Sequence, residues 1–433
     1  MGGRRLDSWI TSYVEWTSGL TSPARLRTWA AIGAVSAALQ RRVHTRIRGQ
    51  DQFANMYIML VAPPGIGKGN ALKHAMWLCR EVDGIIITPQ GITRRAFYST
   101  MEAAATSNIN IETQEHYRHC SMAGFIEEFG VFVKSGDLDF MYHLADVFDN
   151  PPQFHYKTEH AGENNIENAC FTMLTACTPK GLKDILSDEA LEMGFPARMV
   201  MVYSDEQIDV PLWDEPEHIP KLREDLVHDL HEIFRLKGVF TWTPAAKDYL
   251  QSWVTSGLKP FPADQRFEHY NTRRLTQVTK LAMIVSAGRH NDLVIDVEDI
   301  AASKDLLLDA ESVMHNSISA LGANPLLTQQ KYALALVEKR WKDAKVGVAE
   351  SSLIRLVSAE VHPQYLQAFI EMLAQGRWLD VVGSRPERVF YPRGMATSDK
   401  RVNTTNLKVP APQTSSDPAT ATVHQLSPPR KNE

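Results

Sequence analysis

The stretch Tyr57–Asn70, which reads YIMLVAPPGIGKGN, constrains the fold more than any other part of the chain. Tyr57–Val61 is a short apolar run rich in β-forming residues, which is typical of a buried parallel strand. Residues 62–68 then turn the chain, and from Asn70 onward the apolar residues recur at helical spacing. A strand, a glycine-rich turn that ends in lysine and a helix are the context that a phosphate-binding P-loop requires.

The residue types in this turn suit phosphate binding. Glycines allow backbone N–H groups to close around phosphate oxygens, and the start of the helix adds the positive end of its dipole. Lys68 supplies a point charge for the β- and γ-phosphates of ATP. The alternative is a turn that only joins a strand to a helix. The predicted nucleotide-binding residues are Pro64, Gly65, Ile66, Gly67, Lys68, Gly69 and Asn70.

One position departs from the usual pattern. A Ser or Thr hydroxyl normally follows the lysine and ligates Mg²⁺, but this chain has Gly69 there. Asn70, a water molecule or an acidic residue must then complete the metal site. The missing hydroxyl weakens the expectation of fast hydrolysis more than that of nucleotide binding.

The overall composition limits the class of protein. The chain has 433 residues, enough for two or three domains, and its net charge of −5 argues against a generally basic nucleic-acid binder. Its four cysteines form no CxxC pair, which argues against a zinc site. Because no apolar stretch is long enough to span a bilayer, we expect no membrane contact and a cytoplasmic location (the host cytoplasm if a phage encodes the chain).

An acidic pair follows the third predicted strand, Met122–Ile126. In a P-loop ATPase, one carboxylate at such a strand end holds Mg²⁺ and the next polarises the attacking water. We therefore assign Glu127 to the metal and Glu128 to catalysis, although Asp is usual in the first position. The alternative is an exposed acidic pair without a function.

The neighbouring segments supply a further catalytic candidate. Gly84–Thr88 reads as a second strand, and the polar segment 106–119 reads as an insertion or a mobile loop. The fourth strand, Cys170–Ala176, leads to Thr178, which is placed to touch the γ-phosphate or the lytic water. Thr175 is the second choice, and a threonine that merely starts the next turn is the alternative.

Two further motifs surround this fourth strand. Residues 153–169 predict a β-hairpin whose first arm carries His155 and Lys157. Arg198 directly precedes a fifth strand, Met199–Tyr203, and is a candidate arginine finger for a neighbouring subunit's γ-phosphate. An ordinary surface salt bridge is the alternative for this arginine.

The N-terminal segment reads as helical, with an N-cap at Ser22, Pro23 in the first helical position and one apolar face. The basic segment 41–48 follows, and its strand Val43–Ile47 is expected to be half exposed. Its arginines either form a solvated face or contact phosphate or a neighbouring subunit.

The C-terminal half divides into a helical region, a small domain and a tail. Arg273 and Arg274 stand at the start of an apolar helix in the helical region. The small domain has three helical stretches and a hairpin with Arg385 and Arg388, which is typical of a winged helix that binds duplex DNA or protein. The tail is rich in Ser, Thr and Pro, so we expect disorder, with a short docking peptide for other proteins at 406–410.

The order of these motifs resembles that of AAA+ ATPases, in particular the group with a hairpin before the fourth strand, which includes the MCM helicases. The segments WAAIGAVSAALQRR (29–42) and LVAPPGIGKGN (60–70) are similar to helicase-type ATPases of phages and prophages, often described as primase-helicase components. The resemblance implies an α/β fold with a helical N-terminal segment (1–50), an AAA+ P-loop core (51–205), a helical lid (206–320), a winged helix (325–394) and the tail (395–433).

The resemblance also implies a ring, commonly a hexamer, with ATP and Mg²⁺ bound between subunits. Lys68 and Glu128 would come from one subunit and Arg198 from the next. Arg273 matches the arginine of the second-sensor helix better than Arg274 does. The chain would then be a replicative DNA helicase.

In such a ring the hairpin would project into the central channel, where Lys157 and His155 would touch the phosphates of single-stranded DNA. The winged helix would contact duplex DNA, and the tail would contact replication proteins. The alternatives are a helicase loader or initiator that uses ATP as an assembly switch, and a DNA-binding scaffold that does not hydrolyse ATP. A packaging motor is less favoured because no nuclease domain is visible.

Overall fold

The computed structural model describes residues 3–89, 91–109, 114, 116–158, 162–186, 194–211, 213, 219–262, 264–318, 327–358, 363–376, 378–384 and 387–395. The chain is a mixed α/β protein that divides into two compact units, Met1–Ala323 and Asn324–Glu433.

Strands and helices alternate through most of the first unit. The strands are β1 Val43–Ile47, β2 Gln50–Phe53, β3 Tyr57–Val61, β4 Ala105–Ile109, β5 His116–Ile126, β6 Gln153–Thr158, β7 Gly162–Glu167, β8 Ala169–Cys177, β9 Met199–Tyr203, β10 Gly238–Val239, β11 Thr241–Trp242 and β12 Val294–Ile295. The helices are α1 Trp9–Trp16, α2 Ala24–Leu39, α3 Lys68–Arg80, α4 Arg94–Ala103, α5 Phe129–Phe132, α6 Leu138–Phe148, α7 Pro179–Ile185, α8 Gly194–Ala197, α9 Ile219–Arg235, α10 Pro244–Thr255, α11 Glu268–Asn271, α12 Arg274–Arg289 and α13 Val297–Ser317, with short 3₁₀ turns at Gln40–Arg42 and Gln265–Phe267.

The central sheet contains five strands in the order β4-β5-β8-β3-β9. The last four of these are parallel, and every residue of β3 and β8 is buried, as expected for strands covered on both faces. Val61 at the end of β3 is paired with Cys177 on one side and Tyr203 on the other. The carboxyl ends of these three strands therefore form one common edge.

Two expectations about the sheet were wrong in detail. Gly84–Thr88 is not a full strand, since it makes one isolated parallel bridge, from Ile87 to Ala123 of β5. The predicted loop 106–119 instead contributes strand β4, which pairs antiparallel with the start of β5. Strand β4 is an edge strand whose side chains are mostly exposed, so it carries no apolar run that the sequence would reveal.

The predicted hairpin is confirmed as β6 and β7, an antiparallel pair separate from the central sheet. Glu102 of α4 fixes its returning arm by accepting hydrogen bonds from the side chain of Asn164 at 2.7 Å and the backbone N–H of Asn165 at 2.9 Å. Tyr156 of the first arm packs on Tyr98, with 4.0 Å between ring centroids. These contacts hold the hairpin at two of its middle residue pairs, His155–Asn165 and Tyr156–Asn164.

Helix α2 begins at Ala24, one residue later than predicted, and is buried on all sides rather than along one apolar face. Small residues permit this close packing. A Cβ on Gly33 would lie 3.3 Å from the side chain of Leu174 in β8. The helix therefore lies directly against the sheet.

The second unit has the order helix, strand, helix, helix, hairpin. Its elements are α14 Leu327–Ala344, β13 Val348–Ala349, α15 Glu350–Val357, α16 Pro363–Gln375, β14 Leu379–Val382 and β15 Val389–Pro392. The three strands form one antiparallel sheet in the order β13-β15-β14 over a core of its own. The tail expected to be disordered, 396–433, lies outside the described residues, and no helix among those described is long and apolar enough to cross a membrane.

Candidate functional site: two edges of one sheet

The glycine-rich turn leaves the carboxyl edge of the sheet and requires glycine at two positions. Gly65 and Gly67 adopt φ angles of 88° and 77°, which disfavour any side chain. A Cβ on Gly67 would also lie 3.0 Å from the backbone of Ser22. Helix α3 begins directly afterwards at Lys68, so its free N–H groups lie at the end of the turn.

Lys68 folds back over this turn. Its Nζ donates to the carbonyl oxygens of Ala62, at 2.8 Å, and Pro63, at 3.0 Å. Burial lowers the pKa of Lys68, and the nearby charge of Glu128 opposes this shift. The ammonium is therefore held by neutral oxygens, and a phosphate group would be a stronger partner for it.

The first carboxylate of the acidic pair faces the position of the missing hydroxyl. A Cβ on Gly69 would lie 3.5 Å from Oε2 of Glu127. The same oxygen lies 3.0 Å from Nζ of Lys73, one helical turn after Gly69. Glu127 therefore faces position 69, where the predicted metal site lacks its hydroxyl, and its partner Lys73 was not predicted from the sequence.

Glu128 and the threonines complete the carboxyl edge. Glu128 is exposed at the end of β5. Thr178 accepts a hydrogen bond from the backbone N–H of Gly181 at 3.0 Å and caps α7. This agrees with the alternative that the threonine starts the next turn. Its own O–H remains able to donate. Thr175 is buried and donates to the carbonyl of Ile126 at 2.9 Å, which ties β8 to β5.

Arg198 lies at the other edge, before the first residue of β9. Its side chain is only 10% exposed, forms a salt bridge with Asp149 and donates to the carbonyl of Gly194 at 2.7 Å. Arg273 reaches the second oxygen of the same carboxylate at 3.4 Å. Asp149, the C-cap residue of α6, thus holds both candidate arginines.

The sheet register separates these two groups within one chain. Met199 is paired with Tyr57 at the start of β3, whereas the glycine-rich turn follows Val61 at its end. At about 3.3 Å per residue, Arg198 lies roughly 15–20 Å along the strand direction from the turn. Gln277 of α12 donates to the backbone carbonyl of Arg198 at 2.9 Å, so Arg273 belongs to the same distant edge.

The two adjacent arginines have different roles. Arg274 is fully buried and forms a two-bond ion pair with Glu311, at 2.8 and 2.6 Å. Arg273 remains partly exposed beside Asp149. The structure therefore gives Arg274 a place in the interior and leaves Arg273 as the arginine that a ligand can reach.

The predicted DNA contacts are placed unequally. His155 and Lys157 are exposed on one face of the hairpin, and Lys157 lies 3.4 Å from Glu163 on the opposite arm. Arg388 is engaged by Glu350 and Glu371 of its own unit and its side chain is 12% exposed, which counts against a phosphate contact. Arg385 lies outside the described residues.

The basic segment before β2 is also partly committed to the interior. Arg41 is buried and donates to the carbonyl oxygens of Asn150, at 2.8 Å, and Ala169, at 2.9 Å. Arg46 is exposed and paired with Asp51 at 2.8 Å. The structure thus divides this segment between buried contacts and a solvated face.

No family model matches the chain, and no curated protein matches its sequence. The site must therefore be interpreted from its own geometry.

Proposed function

We propose that this chain is an ATP-driven DNA motor, a ring-forming AAA+ helicase of the phage type that translocates on single-stranded DNA. One observation carries the proposal: the phosphate-binding turn with its acidic pair and the two arginines lie at opposite edges of the same parallel sheet. One chain therefore presents two halves of a nucleotide site, and two adjacent chains would complete it.

The carboxyl edge supports ATP binding and hydrolysis. The strand order β5-β8-β3 puts the strand that leads to Thr178 between the acidic pair and the phosphate-binding turn. Glu127 fits a magnesium ligand because its carboxylate oxygen faces the position after the lysine. Glu128 is free to orient an attacking water, and Thr178 retains a donor for the γ-phosphate or that water.

Arg198 and Arg273 lie at the amino ends of the parallel strands, which we call the amino edge of the sheet. This edge supports the second half of the site. The guanidinium groups of Arg198 and Arg273 both bind the carboxylate of Asp149. The same two groups are suited to another anion, such as the γ-phosphate bound to a neighbouring subunit. An interface of this kind repeats head to tail and closes into a ring, for which we propose a hexamer. Arg198 would then stabilise negative charge in the transition state, with Arg273 beside it.

The hairpin and the second unit support contact with DNA. The exposed His155 and Lys157 stand on an arm that Tyr156 holds against Tyr98, as a phosphate-gripping element in a channel would need. The second unit has the helix and hairpin order of a winged helix, for which we propose duplex DNA as the ligand. Replication proteins remain the proposed partners of the tail.

ATP hydrolysis with and without single-stranded DNA tests this proposal. We expect DNA-stimulated turnover, which Lys68→Ala abolishes by weakening nucleotide binding and Glu128→Gln lowers about 10²–10³-fold with binding retained. Strand displacement on a forked duplex should follow the same pattern. Nucleotide binding by the wild-type protein without any turnover would contradict the motor.

The pairing of Lys73 with Glu127 favours a second candidate function, an ATPase that uses nucleotide binding as an assembly switch, as a helicase loader does. A cation already beside the metal ligand is consistent with slow turnover. Slow hydrolysis that accelerates only with a separate helicase would favour this second function. The same nucleotide binding with no effect of Glu128→Gln would instead favour a scaffold.

A further inference from the structure

The helix α3 carries a lysine that the proposed mechanism does not use. Lys73 lies four residues after Gly69, so the two positions share one face of the helix. Its Nζ is 3.0 Å from Oε2 of Glu127, the carboxylate that we assign to Mg²⁺. A positively charged side chain thus lies next to the proposed ligand of Mg²⁺.

Gly69 makes room for this arrangement. Outside the backbone of its own helix and its chain neighbours, a Cβ at position 69 would find one atom among the described residues within 4 Å, Oε2 of Glu127 at 3.5 Å. A hydroxyl at this position would therefore lie close enough to the carboxylate for both groups to ligate the same ion. This chain has glycine at position 69 instead of a residue with a hydroxyl ligand, and the ammonium of Lys73 lies beside Glu127.

We propose that Lys73 and a divalent cation compete for the carboxylate of Glu127, so that Lys73 sets how strongly metal strengthens nucleotide binding. This inference rests on the proposed function and deepens it. The side chains of Lys73 and Glu127 are 40% and 30% exposed, so the ammonium can swing into solvent when a metal arrives. Nucleotide binding in this chain would then depend weakly on metal, because the lysine partly neutralises the acid without it.

The affinity of a fluorescent, non-hydrolysable ATP analogue, measured with Mg²⁺ and with EDTA, tests the competition. The ratio of the two dissociation constants reports the coupling between metal and nucleotide. In the wild-type protein we expect a ratio within about threefold of unity. Lys73→Met removes a charge a few ångströms from the ion and should increase the preference for Mg²⁺ about five- to tenfold.

A second variant adds a metal ligand to the site instead of removing a charge from it. Gly69→Ser restores the hydroxyl in space that a Cβ can occupy, and it should raise the Mg²⁺ preference by a similar factor. Gly69→Ala is its matched control, because it adds the Cβ without the ligand. Lys221→Met is the control for lysine removal, since Lys221 forms a comparable 2.9 Å ion pair with Asp225 on α9.

The competition would be supported if Lys73→Met and Gly69→Ser increase the Mg²⁺ preference while Gly69→Ala and Lys221→Met leave the ratio of the two dissociation constants at its wild-type value. An unchanged or smaller preference in Lys73→Met would overturn it while the proposed function stands. If the wild-type chain binds no analogue in either condition, the proposed function fails, and the inference fails with it.

Discussion

The carboxyl and amino edges of the central sheet are built from similar charged residues but hold them differently. At the carboxyl edge, Lys68 rests on neutral backbone oxygens and Glu128 is exposed, so a phosphate group would displace only neutral partners from Lys68. At the amino edge, Arg198 is buried against Asp149. In the proposed ring, the carboxyl edge would therefore accept a nucleotide as it stands, whereas the amino edge would have to release its arginines before they act on a second chain.

The adjacent residues Arg273 and Arg274 allow the sharpest test of this comparison. Removing one partner of a fully buried ion pair leaves an uncompensated charge, so Arg274→Met should lower the free energy of unfolding by about 3–5 kcal/mol. Arg273→Met should cost less than about 1 kcal/mol, because that arginine is partly exposed, and yet it should reduce ATP turnover. Denaturant unfolding and ATPase rates separate the two. Equal losses of stability would contradict the distinction.

The amino edge is also held by a buried lysine of α12. Lys280 donates to the carbonyl of Phe53 at 2.9 Å and to Oδ1 of Asn55 at 2.6 Å, and burial lowers its pKa to about 7. Between pH 7 and 10 the unfolded chain keeps the proton that the folded chain has lost. The free energy of unfolding should therefore rise with pH across this window, by at most about 1.4 kcal/mol per unit from this group.

The comparison of wild-type protein with Lys280→Met, unfolded by denaturant at pH 7, 8 and 9, isolates this contribution from that of other titrating groups. The wild-type protein should gain stability relative to the variant as the pH rises. Lys247→Met removes an exposed lysine and should run parallel to wild type. Parallel curves for Lys280→Met as well would show that Lys280 keeps its charge when folded.

Asp149 should restrain the arginines of the amino edge. Asp149→Asn weakens the hold on Arg198 and Arg273, so we expect half-maximal ATPase activity at about fivefold lower protein concentration, on the order of 1 kcal/mol. Asp146→Asn, at an exposed position on the same helix, is the control. A higher protein requirement in Asp149→Asn would mean that the carboxylate positions the arginines for catalysis instead of restraining them.

The smallest expected effect concerns the hairpin. Lys157→Ala should weaken binding of single-stranded DNA two- to threefold and lower the salt slope by about 0.7, the value for one phosphate contact. Glu163→Gln should act in the opposite direction, because it frees Lys157 from its partner. Fluorescence anisotropy across a salt series measures both. A Lys157→Ala slope equal to that of the exposed control Lys237→Ala would remove the hairpin from the DNA path.

The sequence predicted the parts of the fold that depend on local patterns. The strand Met199–Tyr203 and the turn before Lys68 both appear where their residues indicated them. Strand β4 was missed because an exposed edge strand needs no apolar alternation. Gly84–Thr88 looked like a full strand because it contains three successive isoleucines, but only Ile85 of the three is buried and the backbone makes one isolated bridge.

The candidate site was predictable as a set of residues but not as a set of pairs. Asp149 and Lys73 carry no motif of their own, and only the folded chain places Asp149 between Arg198 and Arg273. The ion pair of Arg388 with Glu350 is likewise a tertiary contact between residues 38 positions apart. Charge partners distant in sequence are set by packing, which no local spacing reveals.

Subunit mixing tests the division of the site between two chains most directly. Lys68→Ala and Arg198→Ala damage opposite edges, and each variant alone should be inactive as an ATPase. In an equimolar mixture that exchanges subunits at random, about a quarter of the interfaces would combine an intact Lys68 with an intact Arg198. The ATPase rate of the mixture, averaged over all its interfaces, should therefore reach up to about a quarter of the wild-type rate. No recovery, despite demonstrated exchange of subunits, would contradict a nucleotide site shared between two chains.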